Sequence, residues 1–356
     1  MSPTRRFLRS GLVDLLVGPH GVDRYLELIR PDITVCDARA RVLAVRHQTE
    51  RSVTLTLRPN SAWSGFQAGQ FVRVGVEIDG VRRTRTYSPA CSERSASGRL
   101  ELTITTHPDG LVSQHLRRHA RPGTVLHLGE AEGDFVLPRA RPQRLALISG
   151  GSGITPVLSM LRTLIDEHHD GEIGFVHYAR TAADWLYEAE VRELAARHRN
   201  LRVDYVATRE GGAHFNPRTI ERLIGSLAGM HAAVCGPRSL LESVRESWPE
   251  PERVLSETFA PPAPPAPPTT AAASGTLSFV RSGRSVPIGA GTLLEQAEAA
   301  GLSPDFGCRM GICHTCTCRK AAGAVRDVRT GQVSGEEDED IQLCVSVPTG
   351  NVALEI

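Results

Sequence analysis

The sequence predicts a multidomain chain: an antiparallel β-barrel, then an α/β domain on a parallel sheet, then a small α+β unit. Three observations predict it. Residues 37–140 hold short strand patterns such as "SVTLTLRP", "QFVRVGVEI" and "RLELTITTH", separated by Gly, Pro, Asp and Ser turns and free of any long helical pattern, which is the signature of an antiparallel barrel. Residues 141–259 alternate apolar strands ("RLALISG", "IGFVHYA", "LRVDYVAT", "AAVCGP") with helical stretches ("PVLSMLRTLIDEHH", "EAEVRELAARH", "PRTIERLIGSLA", "RSLLESVRESW"), the βαβ pattern of a parallel sheet. Residues 276–356 then return to short strands around one short helix.

A length of 356 residues accommodates about two or three domains. The formal charge of +1 provides no global field for nucleic acid. Lys320 is the sole lysine, so the positive charge is nearly all arginine. No apolar run reaches the ~18 residues of a membrane span. Arg5-Arg6 looks like a twin-arginine export signal, but Phe7 follows directly, Asp14 interrupts the apolar stretch and no small-residue cleavage site follows. A cytoplasmic chain with reduced thiols is therefore expected, and clustered cysteines there are metal ligands or catalytic groups before they are disulfides.

The first 36 residues form an extension without a barrel role. Leu8, Leu12, Leu15 and Leu16 share a helical face beside Arg5, Arg6 and Arg9, as for a helix packed on the body or lying on a membrane surface as a peripheral anchor. Residues 260–275, "APPAPPAPPTTAAASG", read as a linker: its proline pairs favour polyproline II, and sixteen residues reach up to about 50 Å at 3.1 Å per residue. In the last unit, "TLSFV" and "RSVPI" flank a Ser-Gly turn. Thr292 and Glu295 have capping-box spacing ahead of a helix ended by Gly301, and "NVALEI" is a final strand. Ser334 and Glu337 have the same spacing, so "SGEEDED" reads as a solvated helix start.

Between these elements lies "GCRMGICHTCTC". Its spacing, Cys308-x4-Cys313-x2-Cys316 with Cys344 further on, is the plant-type [2Fe–2S] pattern. Glycines such as Gly307 and Gly311 let backbone N–H groups approach the sulfurs. A zinc ribbon needs a second Cys-x2-Cys pair, and a thioredoxin-like pair needs a neighbouring βαβ unit. Cys308, Cys313, Cys316 and Cys344 are thus the expected metal ligands, with Cys318 a packed thiol. The loop, with "PDFG" before it and "LCVSVPTGNV" after it, resembles the ferredoxin family over about the last 80 residues, which implies a β-grasp fold.

In the α/β domain a strand runs into Gly150-Gly151-Ser152-Gly153, and Thr155-Pro156 is expected to open a helix as N-cap and N1. Such glycines permit close approach of a pyrophosphate to a helix N-terminus. The barrel carries "RTYS", Arg85 to Ser88, and "GLVS", Gly110, Leu111, Val112 and Ser113. In this order, with "CGP" at Cys235, Gly236 and Pro237 and "ETF" at Glu257 to Phe259, the chain resembles the ferredoxin–NADP reductase superfamily. The resemblance implies that Tyr87 stacks on the isoalloxazine of FAD, that Arg85 pairs with the FAD pyrophosphate and that Ser88 lies near N5. It implies that Gly110 to Ser113 hold the FAD phosphates, that Cys235 to Pro237 lie near the nicotinamide, and that Glu257 and Phe259 lie close to the flavin. Ser88, Cys235 and Glu257 are accordingly the expected catalytic residues.

The second strand of that domain ends at Arg180 and the third at Arg209, with no acid before Asp184. An acid there would favour NADH. Two arginines favour NADPH, with NADH the alternative. These pieces compose into a reductase that takes hydride from NADPH onto FAD and passes electrons singly to the [2Fe–2S] cluster, which sits near about −400 mV in plant-type proteins. For the acceptor, "LLVGPHGVDRYLELIRP" and "GVRRTRTYSPA" resemble reductase partners of bacterial membrane acyl-CoA desaturases, which use a di-iron site. The alternatives are an aromatic-ring dioxygenase, a monooxygenase or a hybrid-cluster protein. A reading of another class is a non-catalytic redox relay or sensor.

Overall fold

The computed structural model describes residues 34, 37–108, 110–259, 275–306, 311, 314–328, 331–335 and 338–356. The expected N-terminal helix, nearly all of the linker, Cys308 and Cys313 lie outside them. Among the described residues no helix is long and apolar enough to cross a membrane. The chain divides into two compact units, the first ending at Phe259 and the second starting at Ala260.

The first unit begins with a six-stranded antiparallel sheet. Its strands are β1 (Arg39–Thr49), β2 (Ser52–Pro59), β3 (Phe71–Ile78), β4 (Val81–Tyr87), β5 (Leu100–Thr105) and β6 (Val125–Glu132), in the order β4-β3-β6-β1-β2-β5. An antiparallel bridge between Pro89 and Leu102 draws the two edges together, which is how a sheet curls toward a barrel and loses its open edges. Alternate residues point inward, so Val53, Leu55, Leu57, Val72, Val74, Leu100, Leu102 and Ile104 form the core.

The sequence shows no long helical pattern here, yet helix α1 (Leu111–His119) caps this core with Val112 and Leu116. The element is a correction. Only two side chains of nine residues seat fully in the barrel core, too few for a visible apolar period.

The second half of the unit is a parallel sheet of β7 (Arg144–Gly150), β8 (Glu172–Ala179), β9 (Leu201–Ala207), β10 (His231–Cys235) and β11 (Val254–Glu257), ordered β11-β10-β7-β8-β9. The helices are α2 (Ile154–Asp166), α3 (Glu188–Arg197), α4 (Pro217–Ile224) and α5 (Arg238–Ser247). Strand alternation divides the two faces. Leu145 and Leu147 meet α2 and α3, while Ala146 and Ile148 meet α4 and α5. The α2 face also takes in Ala68, Ala90, Phe135 and Leu137 from the barrel region, so one core joins the two halves.

The second unit has a mixed sheet of β12 (Thr276–Phe279), β13 (Arg284–Pro287), β14 (Thr317–Ala322), β16 (Glu339–Gln342) and β18 (Val352–Leu354), ordered β13-β12-β18-β14-β16. A two-stranded ribbon pairs β15 (Val325–Asp327) with β17 (Ser346–Pro348). Helix α6 (Leu293–Ala299) has the expected capping box: Thr292 Oγ1 accepts from Glu295 N–H, and the Glu295 carboxylate accepts from Thr292 N–H at 2.8 Å. Leu293, Leu294 and Ala297 of α6 pack on the sheet, in the β-grasp arrangement.

The helix expected to start at Ser334 is corrected. Residues Glu339–Gln342 form strand β16, antiparallel to β14, and Ser334 Oγ accepts from Val325 N–H at 3.1 Å. Arg319 on β14 pairs with Asp338 at 2.6 Å and Asp340 at 3.7 Å. Lys320 beside it is fully buried and donates to the Gly335 carbonyl at 2.8 Å. These cross-strand pairs outweigh the local capping signal.

Candidate functional site

Strand order places the site. The chain runs from β7 outward to β8 and β9, then returns to lay β10 on the other side of β7. Loops leaving β7 and β10 therefore diverge, and open α/β sheets bind ligands in the crevice outside the strand ends at such a switch point. The loop after β7 is Gly150-Gly151-Ser152-Gly153, and the loop after β10 is Cys235-Gly236-Pro237.

The two loops fill each other. A Cβ on Gly153 would sit 2.3 Å from the Cys235 carbonyl oxygen, and one on Gly150 would sit 2.8 Å from Pro237 Cδ. These glycines thus serve loop-on-loop packing. Gly151, at φ +55° with open space around it, is the position left for a ligand, beside half-buried Ser152. The helix start also differs from expectation. Residues Gly151–Gly153 form a 3₁₀ turn that runs straight into α2, so Gly153 is the N-cap and Ile154 the first helical residue. Thr155 and Pro156 stand second and third, where a missing N–H costs nothing because that turn's donors have no helical partner. Thr155 Oγ1 donates to the Ser152 carbonyl at 3.3 Å.

Just ahead of the loop, Ser149 Oγ lies 2.9 Å from His177 Nδ1, both fully buried. Burial lowers the His177 pKa to about 3, so the imidazole is neutral. This pair, which sequence reasoning missed, fixes the end of β7 where the loop departs.

Under the loops, Cys235 pairs in register with Glu257 of β11. Burial pushes the Cys235 thiol well above its ordinary value, and the Glu257 charge adds to the rise. Glu257 itself is raised to about 8 by burial, and its Oε2 has no hydrogen-bond partner among the described residues. Thr258 Oγ1 donates to the Gly236 carbonyl at 3.0 Å, and Phe259 packs against the shared core.

On the barrel side, Tyr87 is half-buried at the end of β4 with its hydroxyl pKa raised by burial. Arg85 Nη1 donates to the Thr84 carbonyl at 2.8 Å. Ser88 is 2% exposed and its Oγ has no partner among the described residues. Buried hydroxyls and carboxyls are normally satisfied. Ser88 and Glu257, both orphaned, fit a polar cofactor that completes them. Helix α1 begins at Gly110 with no side-chain cap, Ser113 Oγ instead donating to the Gly110 carbonyl at 3.0 Å. Its first N–H groups suit a phosphate.

Arg180 and Arg209 follow β8 and β9 side by side, Arg209 N–H donating to the Arg180 carbonyl at 2.8 Å. Both side chains are exposed and neither has a salt bridge among the described residues.

In the second unit, Cys316 and Cys344 are buried together. Gly311 N–H donates to Cys344 Sγ at 3.2 Å, and Cys344 N–H donates to Cys316 Sγ at 3.5 Å. Two sulfurs that each receive a backbone N–H fit anionic, metal-bound thiolates. Cys318 is half-exposed on β14, its Sγ directed to the Arg319 carbonyl at 3.5 Å, and burial raises its pKa.

Sequence reasoning also missed Arg162 of α2. Its guanidinium donates to Glu101 of β5 at 2.8 Å, to the Ala90 carbonyl at 2.8 Å and to Glu190 of α3 at 2.7 Å. The signal was present: an arginine inside the apolar run "PVLSMLRTLI" needs a buried partner.

Comparison with known proteins agrees with this architecture. Residues 43–136 match the oxidoreductase FAD-binding domain, 147–246 the oxidoreductase NAD-binding domain, and 280–349 the 2Fe-2S iron-sulfur cluster binding domain. An NADPH oxidoreductase of Mycobacterium tuberculosis is 37% identical over 94% of this chain and 88% of its own. The glycine betaine monooxygenase reductase subunit of Pseudomonas aeruginosa is 29% identical over 82% and 87%. The solved structure of phthalate dioxygenase reductase shares the fold, with a TM-score of 0.61 at 22% identity over 89% of this chain and 97% of its own. The chain belongs to the ferredoxin–NADP reductase family, in the branch fused to a C-terminal [2Fe–2S] ferredoxin domain, and is an NAD(P)H-dependent flavin and iron–sulfur reductase.

Proposed function

We propose that this reductase draws electrons from NADPH and delivers them through FAD and the [2Fe–2S] cluster to an oxygenase that activates O2. The observation that carries the reading is the joining of all three domains in one chain. The acceptor class is supported by the name of the glycine betaine monooxygenase reductase subunit, which matches along most of both chains. That name favours the oxygenase alternative over the membrane desaturase expected from the sequence, and the oxygenase becomes the main reading. NADPH is supported by Arg180 and Arg209 and by the name of the mycobacterial relative.

In this reading Tyr87 covers the isoalloxazine, Arg85 and the N-terminus of α1 hold the FAD phosphates, and Ser88 fills its missing hydrogen bond at the flavin. Gly151 and Ser152 receive the nicotinamide nucleotide, and Cys235 with Gly236 and Pro237 borders the nicotinamide. Cys308, Cys313, Cys316 and Cys344 hold the cluster. Bound FAD supplies the exchange between a two-electron hydride and single electrons.

Glu257 holds a proton at its carboxyl. With a pKa near 8, the carboxyl is neutral below that pH and anionic above it. Flavin reduction by NADPH should therefore fall as pH rises through about 8, and Glu257→Gln, which keeps a neutral donor, should flatten the profile. The stability term has the same sign: a raised carboxyl favours the folded state fully below its unfolded pKa, and that advantage is lost as pH rises to about 8. An unaltered profile in the variant refutes the role.

The partner is tested by anaerobic reduction of purified oxygenases and desaturases by the whole chain with NADPH, followed by oxygen-dependent product formation. Reduction of an oxygenase with product matched to NADPH consumed is expected. Reduction of a desaturase alone overturns the assignment.

A further inference from the structure

A cavity of about 640 Å³ opens where the β1–β2 turn, the loop after β5, α1 and the end of β8 meet. Arg51, Arg117, Arg118 and Arg180 line it, with His107 and Gln114. None of these arginines has a salt bridge among the described residues. Arg118 Nη2 donates to the neutral Gln114 amide oxygen at 2.6 Å, and Gln114 Nε2 donates to the His107 carbonyl at 3.0 Å. Arg117 Nε is buried without a hydrogen-bond partner among the described residues. The partly buried arginines Arg73, Arg141 and Arg162 of this unit, by contrast, find carboxylates: Glu132, Glu167, and Glu101 with Glu190.

Four guanidinium groups without a salt bridge among the described residues, gathered around one concave space in a chain of net charge +1, focus positive potential there. The volume suits a nucleotide-sized ligand, and guanidinium forks match phosphate oxygens in pairs. One wall, Arg180, comes from the strand edge of the nucleotide-binding domain. The other three arginines come from the barrel.

We infer that this cavity takes the phosphorylated adenosine end of NADPH, with Arg51, Arg117 and Arg118 of the flavin-binding domain joining Arg180 on the 2′-phosphate. The inference rests on the reading of the chain as an NADPH-using reductase. It extends discrimination against NADH from Arg180 and Arg209, of which Arg209 does not line the cavity, to residues on both domains.

The test uses the full-length holoenzyme and compares Arg51→Gln and Arg117→Gln with wild type and Arg209→Ala. Cytochrome c reduction is measured with NADPH and with NADH, alongside inhibition by 2′,5′-ADP and the FAD content. Loss of one charge-assisted phosphate contact should raise the KM for NADPH and the Ki for 2′,5′-ADP about tenfold more than the KM for NADH, with FAD retained. Arg180→Gln, on the opposite wall, should reproduce the shift if either barrel variant folds poorly. Loss of FAD with nucleotide preference intact assigns the cavity to the adenosine end of FAD and overturns the inference. Unchanged preference and unchanged FAD, in an enzyme that favours NADPH and is inhibited by 2′,5′-ADP, overturns it alone. A wild-type enzyme that favours NADH and ignores 2′,5′-ADP sinks the NADPH reading together with it.

Discussion

Cys344→Ala is expected to abolish the visible spectrum of the [2Fe–2S] cluster and all cytochrome c reduction, while NADPH still bleaches the flavin. Cys344 contributes twice at the site: its sulfur accepts the Gly311 N–H, and its own N–H reaches Cys316 Sγ. Alanine removes the first and leaves a cluster with three thiolates, which the four-thiolate [2Fe–2S] arrangement does not tolerate. Cys316→Ala should behave the same way. Cys318→Ser should keep the full spectrum, since that thiol lies partly exposed on β14 with its Sγ directed to a backbone carbonyl. The pair of experiments separates two cysteines only two positions apart. A spectrum retained in Cys344→Ala, or lost in Cys318→Ser, would falsify the ligand assignment.

What the sequence made legible divides along the range of the forces involved. Strand β7 was plain because Leu145, Leu147 and Ile148 fill two buried faces, and every residue after Arg144 is apolar or small. The α6 cap was plain because Thr292 and Glu295 interact three residues apart. The same local signal misled at Ser334, where pairing of Arg319 with Asp338 and Asp340 across two strands decides the conformation. The glycines after β7 were read as room for a ligand. Two of the three instead make room for Cys235 and Pro237, residues more than eighty positions away that no local pattern connects to them. Arg51, Arg117 and Arg118 of the cavity were hidden by abundance. In a chain whose cations are nearly all arginine, only their convergence with Arg118 and Arg180 on one cavity distinguishes Arg51 and Arg117, and that convergence is a property of the fold.

The largest effect on stability is expected from Arg162→Ala, and its consequence reaches the reaction. Arg162 lies two turns into α2, the helix whose start carries Gly151 and Ser152. Its guanidinium binds Glu101 and the Ala90 carbonyl on the barrel side and Glu190 on the other, with the Tyr187 ring 5.1 Å away. Burial opposes this charge, but Glu101 and Glu190 outweigh it and hold the group protonated. Tyr187 joins the cluster through its hydroxyl, which donates to Glu101 at 3.0 Å and meets Thr103. Neighbouring residues of α2 grip the same barrel segment: Ser159 Oγ donates to the Cys91 carbonyl at 2.7 Å, and Thr163 Oγ1 accepts from Glu93 N–H at 3.1 Å.

Alanine would strand two carboxylates and a carbonyl. Cutting one partner from a buried pair costs about 3–5 kcal/mol, and the partial exposure of these groups places the expected loss near the lower end. For a body of this size that is a fall of roughly 6–12 °C in Tm. Ala90 is two residues from Ser88, so the clamp joins the helix that presents the nucleotide loop to the strand end expected to face the flavin. Loosening it should lower kcat for flavin reduction by about tenfold, since small misplacements of reacting groups are costly, while KM for NADPH moves much less. Arg162→Lys keeps the charge but cannot span both carboxylates, and should recover part of the Tm without the full kcat. A Tm within about 2 °C of wild type in Arg162→Ala would show that the shared apolar core alone holds the two halves together.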